Sequence, residues 1–417
     1  MRTRPVSVLS IALCGAVLFT GCTQSPANFQ KQLQEQLIRA KAGDVITIPE
    51  GKFQLDRTLS LTTDKVTVRG QGMGKSILSF GGQKEGGSGL LIKANDFTIE
   101  DVGIEDTAGD GLTIQGGNDI TVRRVRVEWT RGPNSLNGPY AIYPTECKNV
   151  LVEDSVAKGA SDAGFYIGQS DYVVMRRNRA EYNVDGYEVE NSQHVDVYDN
   201  VATHNTGGLG VFNLPDLPKQ GGKYVRVFRN QILENNTANF APKSLGAIYH
   251  LPAGTGMYVM AINNVEVFEN TIRDNNTTNV YVIEYNPSLG EIKDARYRPF
   301  TDHVYLHDNE ISGGGKSPDN RLDDVKTLST ALGGALPDVL YDGVVDPKIH
   351  ATAKEPNPAQ ICINNNGSFT FLNFDAANGF HHPINNVAPY KCSLPALEAV
   401  VIPQIPAVSS AAPSGAQ

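Results

Sequence analysis

Residues 164–200 read GFYIGQSDYVVMRRNRAEYNVDGYEVENSQHVDVYDN and contain one pattern twice. A glycine opens a short run of alternating apolar residues at 164–167 and again at 186–189. A second run starts at Val173 and at Val195, 22 positions apart, and the two copies end in Asn178 and Asn200. Because side chains alternate along a strand, each run has an apolar side that it cannot bury alone. Successive copies are therefore expected to stack on one another.

The same unit recurs along most of the chain. Its starts are Val66, Phe97, Ile120, Val150, Val173, Val195, Val225, Val265 and Val304. The spacing is 22–23 residues, or that period plus an insertion. Asn returns five positions after the start at Asn178, Asn200, Asn230, Asn270 and Asn309. Asn tolerates a left-handed backbone and can hydrogen-bond stacked neighbours, which suits a coil of strands. An antiparallel sandwich would not keep Gly and Asn in phase, so the repeat predicts a parallel β-helix over residues 44–312.

Both ends of this region are expected to carry caps. Phe29, Leu33 and Leu37 have helical spacing, and Gly43 follows them. Residues 22–43 are therefore predicted to form an anchor segment and a helix that covers the open edge of the first coil. The period fades after about residue 310, so residues 313–403 are interpreted as an irregular C-terminal cap. Residues 404–417 have the composition of a disordered tail.

The first predicted coil, Gly43-Asp-Val-Ile-Thr-Ile-Pro-Glu-Gly51, resembles that of the right-handed parallel β-helix, or pectin-lyase-like, superfamily. Two blocks resemble a group of exported bacterial β-helix lipoproteins: residues 207–216, and residues 239–242 together with 252–256. The superfamily likeness implies an all-β solenoid and points to polysaccharide lyases, hydrolases and C-5 epimerases. The likeness to the lipoproteins implies a partner similar to a c-type cytochrome.

The N-terminus has the features of an export signal. Residues 1–21 contain Arg2 and Arg4 followed by an apolar run from Val6 to Phe19, which is too short to span a bilayer. Leu18-Phe19-Thr20-Gly21-Cys22 resembles a lipobox, which predicts acylation of Cys22 and a membrane anchor. Thr23 favours the outer membrane, facing the periplasm. The alternative is an ordinary secretory signal with Cys22 as a bystander.

Charge and cysteine content narrow the function further. The formal net charge is −9, and it becomes −11 without Arg2 and Arg4, which disfavours a nucleic-acid partner.

Export implies an oxidising compartment, where Cys362 and Cys392 could form a disulfide. Cys147 would then remain, buried as a small apolar residue. None of the Cys and His spacings is typical of a zinc or haem site.

The glycine-led strands indicate which side chains face away from the coil. The first outward column is predicted to contain Thr113, Ala141, Tyr166, Glu188, Gly210, Tyr258 and Tyr281. The second is predicted to contain Gln115, Tyr143, Gly168, Glu190, Phe212, Met260 and Ile283. Aromatic faces stack on sugar rings and carboxylates accept hydrogen bonds from hydroxyl groups, so this face is predicted to contact a polysaccharide. The insertions at 131–139, 213–223 and about 235–255 would form walls beside it.

The candidate site follows from these columns. Tyr166, Glu188 and Glu190 are the candidate catalytic residues, and Tyr143, Phe212 and Tyr258 are the candidate substrate-binding residues. Glu188 and Glu190 would project to one side roughly 7 Å apart, which suits an acid/base pair or calcium ligation. Alternatively, the glutamates are solvated surface charges and the tyrosines pack beneath the insertions.

Other polar residues give weaker signals. Asp110, Asp162 and Asp185 each precede a strand, where a ladder of Asp could bind calcium, although turn hydrogen bonding is the commoner reason. His194 and His204 lack partners at metal-ligand spacing and are interpreted as surface or packing residues. The metal requirement therefore stays open at this stage.

Two functions of different class remain. The first is a lyase, epimerase or hydrolase acting on a polysaccharide. The second is a non-catalytic envelope protein that binds polysaccharide or acts as a scaffold for a periplasmic partner such as a c-type cytochrome. The Asp-Pro-His-type motif of C-5 epimerases is replaced here by Asp185-Gly-Tyr-Glu-Val-Glu190, and the outward columns contain no Lys/Arg cluster to neutralise a uronate.

Overall fold

The computed structural model describes residues 26–84, 86–286, 290–350, 357–403 and 405. The predicted export signal, Cys22 and, apart from Ile405, the predicted tail lie outside these residues. No helix within the described ranges is long and apolar enough to cross a membrane.

The parallel strands form three sheets, which we call sheets A, B and C. In each sheet, strands from successive coils lie side by side. Sheet A runs through Leu59–Leu61, Leu90–Ile92, the first part of Leu112–Glu128, the first part of Ile142–Glu153, Ala163–Gly168, Asp185–Glu190, Gly207–Phe212, Thr255–Met260, Thr278–Ile283, Val339–Tyr341 and Phe371–Asn373. This sheet carries the face that the sequence analysis selected.

Sheets B and C complete each coil. Sheet B runs through Val45–Thr47, Thr67–Arg69, the first part of Thr98–Glu105, the middle of Leu112–Glu128, the end of Ile142–Glu153, Asp171–Arg176, Gln193–Tyr198, Lys223–Phe228, Asn263–Phe268, Asp302–His307 and Ile361–Asn364. Sheet C runs through Gly51–Gln54, Ser76–Ser79, the ends of Thr98–Glu105 and Leu112–Glu128, Val156–Lys158, Arg179–Glu181, Val201–Thr203, Gln231–Leu233, Thr271–Arg273 and Glu310–Ser312.

The interior is a stack of aliphatic side chains held in register by asparagines. Val173, Val195 and Val225 occupy successive rungs and are fully buried. The predicted asparagine ladder is present, and it continues to Asn366: Asn178, Asn200, Asn230, Asn270, Asn309 and Asn366. The amide nitrogen of each member donates to the amide oxygen of the next at 2.8–3.1 Å. A second ladder, which the sequence analysis missed, contains Asn183, Asn205, Asn235, Asn275 and Asn279.

A helix covers the N-terminal end of the coil. It spans Pro26–Arg39, and its Phe29, Leu33 and Leu37 side chains are buried against the first strands. The Phe29 ring stacks on Phe53 with 3.7 Å between centroids. The first coil has no preceding coil to pack against, and the helix shields its apolar end from water.

The C-terminal region differs from the prediction in one respect. The parallel stacks extend past residue 312, because Val339–Tyr341, Ile361–Asn364 and Phe371–Asn373 add to sheets A and B. Long insertions separate these strands and hide the period. The remainder includes helices Asp323–Ala331 and Pro347–His350 and short 3₁₀ turns at Ala376–Asn378 and Ala388–Tyr390. Cys362 and Cys392 are joined by a disulfide, and Cys147 is free and buried.

Candidate functional site

The candidate site lies on the outward side of sheet A, where two columns of side chains cross successive strands. The first column contains Thr113, Tyr143, Tyr166, Glu188, Gly210, Tyr258 and Tyr281. The second contains Gln115, Thr145, Gly168, Glu190, Phe212, Met260 and Ile283.

Tyr143 is in the first column, not in the second as predicted. It pairs with Thr113, and Ala141, predicted to face outward, is fully buried. This strand lacks the glycine that marks its neighbours and follows an insertion, so counting from the sequence placed it two residues out of register. As a result, Tyr143 and Tyr166 are neighbours, with 4.8 Å between their ring centroids.

The two columns point away from the core of the coil, yet other parts of the chain cover much of them. Glu188 is 3% exposed and Glu190 6% exposed, so they are not solvated surface charges. Phe212 and Tyr258 are also buried, and they pack with residues of segment 290–301, where the Tyr297 hydroxyl donates to the backbone oxygen of Asn213 at 2.7 Å. Neither ring is therefore a free stacking surface in this structure.

Four buried carboxyl groups on this face interact electrostatically: Asp162, Asp185, Glu188 and Glu190. Tyrosine hydroxyls lie beside three of them. The Tyr258 hydroxyl donates to Asp185 at 2.8 Å, and the hydroxyls of Tyr140 and Tyr166 lie close enough to Asp162 and Glu190 to counter the rise in their pKa values. Among the described residues, Glu188 has no hydrogen-bond partner and is surrounded by other acids. The sequence analysis had interpreted Asp162 and Asp185 as turn residues.

Burial makes these carboxyls unusually weak acids. Loss of hydration is the main cause, and repulsion between neighbours adds to it. It raises the pKa of Asp162 to about 7, of Asp185 to about 8 and of Glu190 to about 7. The pKa of Glu188 is raised well above its usual range by burial and by Asp162, Asp185 and Glu190. The cluster therefore holds protons near neutral pH and can both donate and accept them.

Two glycines make room for the tyrosine rings. A Cβ at Gly168 would lie 2.2 Å from the Tyr166 hydroxyl, and one at Gly210 would lie 2.3 Å from the Tyr258 ring. The Tyr166 ring lies across Gly168 and the Tyr258 ring lies across Gly210. This position brings each tyrosine hydroxyl close to a carboxyl group. The sequence signal was a glycine at an outward strand position, where a side chain normally packs.

A group of stacked tyrosines borders the acids on the N-terminal side. Tyr140 stacks on Tyr143 with 4.5 Å between centroids, and Tyr166 is tilted against both. Tyr140 and Tyr143 are only half-buried, so their rings reach the surface. Aromatic faces exposed beside polar groups suit the apolar face of a sugar ring. Of the predicted substrate-binding residues, Tyr143 has this exposed position, and Tyr140 was missed.

Asp110, Asp162 and Asp185 do not form the continuous ladder that could have bound calcium. Asp185 pairs with Ala163, so Asp162 lies one residue out of line with it. Within the described ranges, no three His, Cys, Asp or Glu side chains converge to hold a metal ion. His194 lies between Tyr172 and Tyr224, and His204 lies against Tyr182, away from the carboxyls.

A cavity of about 360 Å³ continues along the same face. Tyr281, Ile283, Leu340 and Phe374 give it an apolar lining. Tyr281 is three strands beyond Glu188 in the first column, about 14 Å at the usual strand spacing. Asp342 also lines the cavity, and burial raises its pKa to about 7.

Comparison with known proteins supports the architecture. Residues 88–219 match the family model described as a right handed beta helix region. The chain is a right-handed parallel β-helix. No curated protein gives a significant match to its sequence.

Solved structures similar to this β-helix include two enzyme modules from Azotobacter vinelandii. The A-module of mannuronan C-5 epimerase AlgE6 is 18% identical with a TM-score of 0.54, over 76% of this chain and 75% of that one. The A-module of mannuronan C-5 epimerase AlgE4 is 18% identical with a TM-score of 0.50, over 76% of this chain and 87% of that one. At this identity the likeness shows the fold alone.

Proposed function

We propose that this β-helix modifies a polysaccharide by acid–base chemistry at the carboxyl cluster around Glu188. The observation that carries the proposal is the Glu188 carboxyl itself. It is buried, it lacks a hydrogen-bond partner among the described residues, and its pKa is raised by burial and by three neighbouring acids. A carboxyl kept protonated near neutral pH and free of internal bonds is suited to act as a general acid.

The neighbouring groups can supply the complementary proton acceptor. Glu190 is two residues away on the same side of the strand and lies beside the Tyr166 hydroxyl. Glu190, together with the Tyr166 hydroxyl, can take up a proton when Glu188 releases one. The half-buried rings of Tyr140 and Tyr143 are placed to stack against the sugar and hold it beside the acids. The two similar enzymes are named for action on mannuronan, which supports a sugar polymer as the substrate class.

The test is a screen of the purified protein against neutral and acidic polysaccharides. Three products are measured: new reducing ends for hydrolysis, unsaturated sugars for lyase action and inverted sugars, by NMR, for epimerisation. We expect one of these products from at least one polymer. If no polymer in the screen gives any of the three products, the proposed chemistry is wrong.

Non-catalytic binding is the second candidate, and it has a structural observation in its favour. Glu188 and Glu190 are almost fully covered, and the cavity on this face begins three strands away. A protein that binds a glycan, or acts as a scaffold for a periplasmic partner such as a c-type cytochrome, needs no open path to the acids. Saturable glycan binding without any product would favour this candidate.

We also propose that the protein acts in the cell envelope. The support is the sequence of residues 1–22, with its apolar run and the lipobox-like residues that end in Cys22. A lipid on Cys22 would hold the β-helix at the membrane, where envelope polysaccharide is available. The outer membrane, on the periplasmic side, is the location that Thr23 favours.

A further inference from the structure

Outside the candidate site, most of the buried carboxylates that the structure describes are paired with arginine. Glu100 contacts Arg69 and Arg124 on sheet B, at 2.6 and 3.0 Å. Glu153 contacts three arginines: Arg123, Arg176 and Arg177. Asp196 is bonded through both oxygens to Arg226 at 2.9 Å. Pairing a buried acid with a base is thus the usual arrangement in this fold.

The candidate site departs from that arrangement. Among the described residues, none of Asp162, Asp185, Glu188 and Glu190 forms an ion pair, and the charged neighbours that shift their pKa values are all acids. From Thr113 to Tyr281 and from Gln115 to Ile283, the two columns contain no Lys, Arg or His. The groups beside three of these acids are neutral tyrosine hydroxyls.

The same sign of charge continues into the neighbouring cavity. Its lining includes Glu284, Asp324 and Asp342, and no basic residue lines it in the part of the chain that the structure describes. On the covering loops, Lys219 pairs with Asp171, Arg296 with Asp294 and Arg298 with Asp346, whereas Lys293 is exposed and has no ion pair among the described residues. A ligand that brought its own negative charges would find no basic side chain within the two columns to receive them.

We propose that the site selects a neutral glycan, one that presents hydroxyl groups and no carboxylate or sulfate to sheet A. The proposal rests on the proposed function, because it presumes that this face contacts a polysaccharide. Glu188 supplies a second observation beyond the clustering of acids, since it is 3% exposed and its carboxyl has no partner among the described residues. A sugar hydroxyl can bond to such a group whether it is protonated or ionised, whereas a uronate carboxylate would be placed, with no base in the columns to pair with, beside carboxyls that lose their protons as the pH rises. The preference would separate this protein from enzymes that act on mannuronan, a polyuronate.

The test compares polymers that differ in charge alone. Oligomers of polymannuronate and polygalacturonate are each prepared with free carboxylates and in carboxyl-reduced, neutral form. Binding to the full chain, extracted in detergent, is measured by titration calorimetry at low salt and mildly alkaline pH, with EDTA and again with calcium. We expect the neutral member of at least one pair to bind at least tenfold more tightly than its charged form under both conditions.

A charged form that binds as tightly as its neutral partner, with EDTA or with calcium, overturns the inference. Absence of binding by all four oligomers overturns it as well. The double variant Glu188→Gln/Glu190→Gln should bring the affinities of the two forms closer together, while Glu269→Gln, which changes an exposed glutamate, should leave the ratio unchanged. Turnover is measured separately: preference for the neutral form without any product leaves the inference standing and removes the proposed chemistry.

Discussion

The hydroxyl of Tyr258 donates a 2.8 Å hydrogen bond to Oδ2 of Asp185, although 73 positions separate the two residues in the chain. In sheet A they lie two strands apart, and Gly210 stands on the strand between them. The absence of a side chain at Gly210 lets the tyrosine ring cross that strand. One glycine thus connects an aromatic residue of one coil to an acid of another.

Replacing Gly210 by Ala should break this connection. The new Cβ would lie 2.3 Å from the Tyr258 ring, so the ring must move and Asp185 loses its hydroxyl partner. We expect the free energy of unfolding to fall by about 2–4 kcal/mol, combining overpacking with a lost buried hydrogen bond. Denaturant unfolding measures the change. Gly74→Ala is the control, because a Cβ there meets nothing within 4 Å; equal losses in both variants would contradict the explanation.

Glu188→Gln separates catalysis from stability. The amide cannot give up a proton, so we expect turnover to fall by at least a factor of about 100, the usual contribution of a general acid. Stability should be unchanged or higher at neutral pH, because the variant removes a buried acid that has no partner among the described residues. Product formation and thermal unfolding are measured side by side with Glu269→Gln. Full activity in Glu188→Gln would remove Glu188 from the mechanism.

Stability should decrease as the pH rises from about 4 to about 8. Folding raises the pKa of Asp162 and Glu190 to about 7 and that of Asp185 to about 8. In this window the folded protein binds more protons than the unfolded chain, so its free energy of unfolding falls with pH. Each pKa unit by which folding raises one of these groups contributes about 1.4 kcal/mol to the loss. Denaturant unfolding across this range tests it, and Asp185→Asn should reduce the slope; a stability that rises toward pH 8 would contradict the burial of these acids.

Asn230→Ala should be among the most destabilising single changes in the coil. The side chain of Asn230 donates to Val197 and Asn270 and accepts from the backbone and the side chain of Asn200. Truncation leaves these buried groups unpaired, which should cost about 3 kcal/mol or more. Asn364→Ala, at an exposed position of sheet B, is expected to change stability by less than about 0.5 kcal/mol. Comparable losses of stability in both variants would show that the asparagine ladder does not stabilise the coil more than an exposed asparagine does.

Cys22→Ser should release the protein from the membrane. Without the thiol no acyl chains can be attached, and several buried chains are what hold a lipoprotein firmly. Fractionation of cells that express each form measures the effect, and we expect the variant in the soluble periplasmic fraction. A variant that stays with the membrane would show that Cys22 does not anchor the protein.

The sequence alone determined the stacking, because the period and the alternation are local properties that repeat. Val173 and Val195 had to be vertical neighbours once the 22-residue unit was recognised, and the Asn178–Asn200 contact followed from the same count. The predicted export signal likewise rests on consecutive residues, 1–22. Where the marker glycine was missing, as before Tyr143, the count failed by two residues.

Only the tertiary structure decided which side chains on the outward face of sheet A are buried and how acidic they are. Glu188 is buried near Tyr258, and Tyr258 packs in one cluster with Phe212 and Tyr297; no local pattern encodes this placement of distant residues. Asp162 and Asp185 had the appearance of turn residues until burial brought them next to the glutamates. A pKa depends on everything within several ångströms in space, so the acidity of this cluster could be determined only after the coils were assembled.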